Sequence, residues 1–406
     1  MRYDVIVIGG GASGMTAAIC AARSKKRVLL LEKNAKLGRK IAASGNGKCN
    51  LTNALISTAF YYDAYPEVLT RILEHCTKDA ILAFMKSIGI VCKEKRGYYY
   101  PASEQAAVVV QMLQAELIHN KVAINTEEYC KECYKEENLF HVITDKAEYW
   151  AECLIMASGG MAAPKLGADS SGYQMLERMG HNIKLLSPAL VQLTTKERYV
   201  KKMSGVRTEA AIRLLCSKQE YCEKGEIIFT DTGISGIPVF QISRYVQEAL
   251  QHQQAVWLYI DTIPLYSKEE LKENITALIG YNPSLTLEYL FRTYCNHKLV
   301  YAVLNEYGFD AELPCNKLKN QELDKIIQVF KNLSFSVNGT NGFDNAQVTR
   351  GGVPLDEIDA DTMESKIVKG LYITGELLDI DGMCGGYNLH FAWSSGMLAG
   401  NAVTEK

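Results

Sequence analysis

An α/β fold built on a parallel sheet, interrupted by an inserted β unit, is what this sequence predicts, and three observations predict it. Residues 4–8 form a short, apolar, β-branched run, as in a strand buried on both faces, and a glycine turn and an alanine-rich helix follow directly. A second such run, residues 27–31, ends in an acid. The parallel-sheet pattern then stops near residue 189 and resumes near residue 343.

The first turn justifies itself residue by residue. Gly9, Gly10, Gly11, Ala12, Ser13 and Gly14 fit G-x-G-x-x-G between strand and helix. Gly9 permits a tight turn, Gly11 lets backbone approach a pyrophosphate, and Gly14 lets the helix pack closely. The helix start presents N–H groups and a positive dipole end to phosphates. Glu32, followed by Lys33, stands roughly 20 residues on, where an acid holds ribose hydroxyls. The motif alone is weak. Strand, turn, helix, strand and acid in that order make it the start of a Rossmann-like dinucleotide-binding domain.

The chain's 406 residues allow two or three domains and a sizeable core. A net charge of −2, with no basic stretch and no basic amphipathic helix, argues against nucleic acid and membrane surfaces as partners. Residues 5–22 are apolar, but the triple glycine and the missing charged leader argue against a signal or membrane segment. The 12 scattered cysteines suit a reducing compartment, so a cytoplasmic protein is expected. Cys130 and Cys133 have C-x-x-C spacing without a second pair. Regular strand register would put them on opposite faces, so no zinc or redox site, and no other metal site, is expected.

The next elements follow in order. Gly38, Arg39, Lys40, Ser44, Gly45, Asn46, Gly47, Cys49, Asn50, Leu51 and Thr52 lie in a loop dense in glycine, small polar groups and cations, which suits wrapping a phosphate chain. Helical spacing predicts helices over 66–76 and 78–88, and over 104–118 with Ser103 as N-cap. Strands are predicted over 121–126, 139–144 and 152–156, the last leading into Ala157, Ser158, Gly159 and Gly160. Beyond residue 189, strands are predicted over 190–194, 209–216, 226–230, 255–261 and 333–337, and helices over 268–278, 285–294, 298–307 and 321–332. The nucleotide-binding domain is therefore expected over 1–189 and 343–406. The inserted domain is expected over 190–342, with a β unit at about 190–262 and 332–342 carrying a helical subdomain at about 263–331. Near the end a strand runs into Gly375 and Glu376. Gly385, Gly386, Tyr387, Asn388 and Leu389 then open a small-residue helix, whose first N–H groups point at one place.

Residues 38–40 with 44–50, 157–160, 230–236, 347–353 and 381–389 together resemble the YhiN/BaiN-like flavoproteins, over nearly the whole chain. The resemblance implies a two-dinucleotide-binding fold that holds FAD. It implies that the 38–52 loop lies along the pyrophosphate and reaches the isoalloxazine ring, that Glu128 meets adenine through backbone groups, and that 157–160 returns beside the first turn. It also implies that Gly375, Glu376 and 385–389 face the flavin. Asp231 stands where the family has histidine, Arg350 is unusual at its position, Cys384 replaces threonine and His390 replaces glutamine. Arg350 is expected to be solvated, and Cys384 to fill space.

An FAD-dependent oxidoreductase follows. Only one G-x-G-x-x-G has strand context, so NAD(P)H is expected as a transient electron donor rather than a resident. The family implies reduction of activated C=C bonds in steroid- or bile-acid-like enones. An oxidase of small amines or aminoketones, and a flavin-containing RNA-binding or modifying protein, are the alternatives. Tyr98, Tyr99, Tyr100 and His390 are the candidate donors for polarising a substrate carbonyl. A small-molecule substrate is expected, in a cleft between the two domains with residues 98–100 on its wall.

Overall fold

The computed structural model describes residues 1–62 and 64–403. The chain forms two compact units, residues 1–187 with 347–406, and residues 188–346.

The first unit opens with β1 (Arg2–Ile8), α1 (Ala12–Arg23) and β2 (Val28–Leu31). Then come α2 (Arg39–Ala43), β3 (Thr52–Asn53), β4 (Tyr61–Tyr62), α3 (Pro66–His75), α4 (Lys78–Ser87), β5 (Cys92–Lys95), β6 (Tyr98–Pro101) and α5 (Ala106–His119). β7 (Ala123–Asn125), β8 (Cys130–Glu136), β9 (Leu139–Thr144), β10 (Glu148–Met156), α6 (Ser171–Arg178) and the boundary strand β11 (Ser187–Ala189) follow. After the second unit the chain returns with β18 (Val348–Arg350), β19 (Leu371–Ile373), β20 (Asp381–Gly382) and α14 (Tyr387–Ala402).

The main sheet runs β7-β2-β1-β10-β9-β8. β1 pairs in parallel with β2 and β10, and β2 with β7. β10 is long enough for two partners on its far edge: residues 148–151 pair antiparallel with β9, and 154–156 pair parallel with β19. This is a Rossmann-like FAD-binding fold. Val5, Ile6, Val7 and all four residues of β2 are buried, which is why these strands read as unbroken apolar runs. α1 lies against α14. A Cβ on Gly396 or Gly400 would sit 2.4 Å from the carbonyl oxygens of Ser13 and Ala17, so the small-residue helix is small because it touches backbone.

The second unit holds β12 (Leu193–Thr195), β13 (Arg207–Cys216), β14 (Gln219–Phe229), β15 (Gly233–Ser235), α7 (Ile237–Ser243), α8 (Val246–Gln251) and β16 (Val256–Asp261). It continues with α9 (Lys268–Tyr281), α10 (Leu287–Arg292), α11 (His297–Glu306), α12 (Asn320–Lys331), β17 (Leu333–Thr340) and α13 (Gly342–Asn345). Its six strands close into a barrel in the order β12-β15-β14-β13-β16-β17, which leaves no open edge. Ile212, Leu214, Phe229, Leu258 and Phe335 are buried in its core. Among the helices, Phe291 stacks on Phe330 with ring centroids 4.5 Å apart.

Four expectations need correction. β14 starts seven residues before the predicted strand, because residues 219–225 are polar and mostly exposed and carry no apolar signal. β15, α7 and α8 were not predicted at all; β15 is three residues long and flanked by glycine. Ser103 does not cap α5: the N-cap is Gln105, and Glu104 intervenes in the left-handed region at φ 51°. Cys130 and Cys133 do not face opposite ways. A bulge between Cys130 and Glu132 shifts the register, and both thiols turn inward onto Met175 Sδ, at 3.7 and 3.5 Å. Both are free thiols.

Among the described residues, no helix is long and apolar enough to cross a membrane. No group of three or more His, Cys, Asp or Glu side chains among them is placed to hold a metal ion.

Candidate active site

The site starts at the turn after β1. Gly9 has φ 109°, and a Cβ there would lie 2.3 Å from the Ala157 carbonyl oxygen. A Cβ on Gly14 would lie 1.9 Å from the Gly9 carbonyl oxygen. Those two glycines are required by the backbone around them. Gly11 differs: nothing lies within 4 Å of its Cβ position. The same is true of Gly159, in the turn after β10, which Ala157 N anchors by donating to Ile8 O at 2.9 Å. Two open backbone faces thus flank one turn. Ser158 Oγ and, in the 44–53 loop, Asn50 Oδ1 are buried without a hydrogen-bond partner among the described residues. Open glycine faces and a helix N-terminus supply donors, Asn50 Oδ1 an acceptor and Ser158 Oγ either, a set that fits the phosphates and polar edges of FAD.

Glu32 is built into the turn. Its Oε2 accepts from Gly10 N at 2.9 Å, and its Oε1 from Asn34 N at 2.8 Å and Asn34 Nδ2 at 2.5 Å. Oε1 is filled, so Oε2 is the atom with acceptor capacity left for a ribose hydroxyl. Lys33 pairs with Asp169. Arg39 donates to Asn34 Oδ1 at 2.6 Å and to Lys165 O at 2.7 Å. Lys40 donates to Glu376 Oε2 at 2.6 Å, and Glu376 Oε1 accepts from Thr349 N at 2.7 Å. Thr349 Oγ1 in turn accepts from Met161 N and Ala162 N at 2.8 and 3.0 Å. Lys40 therefore fastens the loop to the Gly375-Glu376 corner, which Thr349 links on to the 161–162 N–H groups, and Arg39 fastens it to residue 165. A Cβ on Gly160 would strike Thr349 Oγ1 at 2.4 Å and Glu376 Oε1 at 2.8 Å.

The C-terminal motif meets the same loop. Gly45, Asn46 and Gly47 are all left-handed, which Gly and Asn accept most readily. Cys49 is buried, and burial pushes its thiol up to about 12 against an opposing bond from Ser44. Asn53 Nδ2 donates to Gly385 O at 2.9 Å. A Cβ on Gly386 would lie 2.9 Å from Asn50 Oδ1. Trp393 Nε1 donates to Leu51 O at 3.1 Å. Asn388 spends its amide on Gly382, accepting from its N at 2.8 Å and donating to its O at 2.7 Å, so it holds the turn that leads into α14. Leu389 packs on the core, and Ala12 does the same at the first turn.

β6 sorts the three tyrosines. Tyr98 and Tyr100 share one face, because strand side chains alternate, and Tyr99 takes the other. Gly385 is wedged between two phenol rings: its Cβ position is 3.1 Å from both Tyr98 Cε1 and Tyr387 Cε2. Phe60 stacks on Tyr387 at 4.8 Å. Burial, with Tyr98 close by, pushes the Tyr387 phenol up to about 12. Tyr99 instead lies under the Lys78 ammonium, 5.8 Å from its ring centre, on the face that carries Thr52. Tyr99 therefore stands apart from the face that Tyr98 and Tyr100 share.

Two further corrections concern buried polar residues. His390 is fully buried, with Nδ1 2.8 Å from Thr52 Oγ1 and Nε2 3.0 Å from Cys76 O. Burial pushes it down to about 4, the Cys76 bond opposing. It is a neutral strut between β3 and the end of α3, not a donor to substrate. Glu128 is also buried. Its carboxylate accepts from Asn125 Nδ2 at 2.9 Å, Thr144 Oγ1 at 2.6 Å and Tyr149 OH at 2.8 Å. Its backbone N–H donates to Glu32 O at 3.0 Å, so that half of the expected adenine clasp is occupied.

Several participants were missed. Asn53 ends β3 and Thr349 is the middle residue of β18, and only the fold shows which turns they bind. Lys48, Lys93, Lys95 and Glu104 gather beside Tyr100. Lys93 and Lys95 give no signal in a chain of balanced charge, whereas Lys48 lies in the loop already read as dense in cations. Arg350 is not merely solvated; its guanidinium lies 4.7 Å over the Tyr62 ring.

The parallel sheet, the glycine turn and the corners that meet it define an FAD-dependent oxidoreductase. Residues 3–402 match the HI0933-like protein Rossmann domain, and the chain belongs to that family. It is 39% identical over 403 residues to a 3-dehydro-bile acid delta(4,6)-reductase of Clostridium scindens, covering 98% of each chain. It is 31% identical over 408 residues to a ribosomal RNA dihydrouridine synthase of Haemophilus influenzae, covering 99% of this chain and 98% of that one. Among solved structures it shares its fold with a 3-ketosteroid-delta4-(5alpha)-dehydrogenase of Rhodococcus jostii, at TM-score 0.51 and 13% identity, covering 100% of this chain and 97% of the other.

Proposed function

We propose that the protein reduces a C=C bond conjugated to a carbonyl, in a steroid- or bile-acid-like enone, with NAD(P)H as the transient electron donor. The observation that carries this reading is Tyr98, a phenol set against the Gly385 turn at the mouth of α14. When bound, FAD supplies hydride to the β carbon of the enone. Gly11, Glu32, Ser158, Gly159, Asn50 and the 385–387 turn would hold it, and Lys40, Arg39 and Asn388 would keep those segments in place. Tyr98 O–H would donate to the carbonyl oxygen and so stabilise the enolate charge that develops there as hydride reaches the β carbon, and a proton from solvent at the α carbon would complete the reduction. The Clostridium scindens relative, named for this chemistry, supports the substrate class.

The Haemophilus influenzae relative supports a second reading with the same bond change. Dihydrouridine is uridine with its C5=C6 bond saturated, and that bond is conjugated to the C4 carbonyl. One active site can serve either reading, because both need hydride at a β carbon and a donor at the carbonyl. The higher identity and the net charge of −2 favour the steroid- or bile-acid-like enone over a polynucleotide.

The test is anaerobic. The yellow protein should bleach with NADH or NADPH, and a 3-oxo-4-ene steroid should restore its colour. Bleaching by amines with peroxide formed in air, and no response to any enone, would replace the reductase with an oxidase. Recovery only with uridine-containing RNA would select the second reading. FAD retention gives a separate check: Glu32→Ala should weaken FAD binding by about 2–3 kcal/mol, roughly 30- to 150-fold, for the loss of a charge-assisted bond. Retention unchanged after dialysis would show that Oε2 meets no ribose.

A further inference from the structure

We propose that Lys48, Lys93 and Lys95 bind the carboxylate of the substrate, so that the enone this protein takes is an acid rather than a neutral steroid. The inference rests on the reductase reading above.

The three ammonium groups come from two segments. Lys48 ends the 44–47 turn, and Lys93 and Lys95 lie on β5. They converge on one carboxylate, Glu104, at 3.1, 2.9 and 3.9 Å. Among the described residues, one negative charge among three positive ones leaves two uncompensated. The lysines hold the Glu104 carboxyl down to about 2, through the Lys93 and Lys48 bonds. All three lysines keep between 41% and 58% of their side-chain surface, so an incoming anion can reach them.

The strand register ties this cluster to the phenols. Lys95 is the cross-strand neighbour of Tyr98, and Lys93 of Tyr100. Cross-strand neighbours share a face, so Tyr98, Tyr100, Lys93 and Lys95 line one side of the hairpin. Glu94 and Tyr99 take the other side. The rise along a strand is about 3.3 Å per residue, so the Tyr100 row lies roughly 7 Å beyond the Tyr98 row. An elongated ligand with its carbonyl at Tyr98 would run along this face, apolar body over the rings and acid among the lysines. Two uncompensated charges match one carboxylate. They are few for a polynucleotide, whose binding typically neutralises about 6–10 phosphates.

The probes are a 3-oxo-4-ene bile acid and its methyl ester, compared as the ratio of kcat/KM values. The wild type should prefer the acid by about 10-fold, and the ratio should fall as salt rises from about 50 to 500 mM, because exposed charges are screened. Lys93→Gln with Lys95→Gln should bring the ratio to about 1. The arginine pair at the same positions should keep it, which separates charge from damage to the hairpin. Glu104→Gln should move the ratio the other way, about threefold up, by removing the resident competitor. Equal rates for acid and ester in the wild type would overturn the proposal, and so would a ratio that ignores both the lysine and the glutamate variants. If no enone is reduced at all, the reductase reading falls first. If reduction is seen only on RNA and weakens with the lysine pair, the cluster is a phosphate contact and the carboxylate assignment is wrong.

Discussion

Glycines in the two units can be compared by what stands where a Cβ would be. In the nucleotide-binding unit Gly9, Gly14, Gly396 and Gly400 are glycine because another backbone lies 1.9–2.4 Å from where a Cβ would be. In the inserted unit Gly205, Gly280 and Gly308 have nothing within 4 Å of that position. The first unit is shaped by close approach of main chain to main chain, which also leaves N–H groups bare for a ligand. The second is a filled barrel with helices, held by large apolar side chains. The inserted unit has clamped glycines as well, Gly233 and Gly236, 2.0 and 2.5 Å from the Leu193 and Glu226 carbonyl oxygens, so the same substitution should have opposite outcomes at Gly14 and at Gly280.

The largest effect is expected at Gly14. An alanine there would press its Cβ onto the Gly9 carbonyl oxygen at 1.9 Å and the Ala157 Cβ at 3.1 Å. Neither can swing away, so the turn must move. Gly14→Ala should cost about 3 kcal/mol or more and strip the protein of FAD. Flavin absorbance per mole of purified protein, with a urea midpoint, measures both. A variant as yellow and as stable as the wild type would end the contrast between Gly14 and Gly280.

Next comes a contrast inside one strand. Tyr98→Phe should slow reoxidation by an enone by roughly 100-fold, the usual scale for losing a carbonyl donor. Tyr99→Phe, on the opposite face, should change it by less than about threefold. Flavin reduction by NAD(P)H should hardly respond to either, because that half-reaction has no carbonyl to polarise. Stopped-flow of the two half-reactions decides. Equal slowing of both halves in the Tyr98 variant would return that ring to packing beside Gly385.

What the sequence made legible follows the same division. The β1 strand, the glycine turn and Glu32 could be read because every signal there is local: buried strands are apolar throughout, and a backbone clash admits only glycine. α14 could be read for the same reason. What depends on pairing could not be read. The bulge at Cys130 and Glu132 turns both cysteines inward, and nothing in residues 130–133 announces it. His390 could be singled out as a substitution, but its burial depends on Thr52 and Cys76, more than 300 residues away. The tyrosines are a partial exception. Three β-formers before a proline carry a strand signal, and period-two alternation would have separated Tyr99 from its neighbours. The polar half of β14 pairs along its length with β13, yet its composition resembles a loop.

His390 gives a smaller effect with a definite sign. An unfolded histidine titrates near 6.5 and this one, buried, near 4. Between those values the unfolded chain binds a proton that the folded chain refuses. Stability from this group is therefore complete above pH 6.5, falls as pH drops, and levels off below pH 4. From pH 6.5 to 5 the loss is about 2 kcal/mol, at about 1.4 kcal/mol per pH unit. His390→Gln keeps a donor for Cys76 O and an acceptor for Thr52 Oγ1 but cannot titrate. Its urea midpoint should fall less than that of the wild type between pH 7 and 5. Parallel falls would mean that the ring is not held neutral.

The smallest effect closes the comparison, and it carries the opposite sign to the first. Gly280 is exposed in the last turn of α9, and no heavy atom stands within 4 Å of its Cβ position. Its φ is not in the left-handed range, so alanine needs no change of backbone. Glycine there is only a cost: the unfolded chain has more freedom to lose, and a helix interior favours alanine by about 0.5–1 kcal/mol. The gain should be at the lower end, because Gly280 lies one residue from the helix end, where fraying already weakens the constraint. Gly280→Ala should raise the urea midpoint of the inserted unit slightly, leave flavin content unchanged and leave both half-reactions unchanged. Tryptophan emission from Trp257, on the barrel strand β16, can follow that unit, provided Trp150 and Trp393 are first replaced by phenylalanine in the reference protein. A destabilised alanine variant would mean that something covers this turn in solution, and that open space is not what separates Gly280 from Gly14.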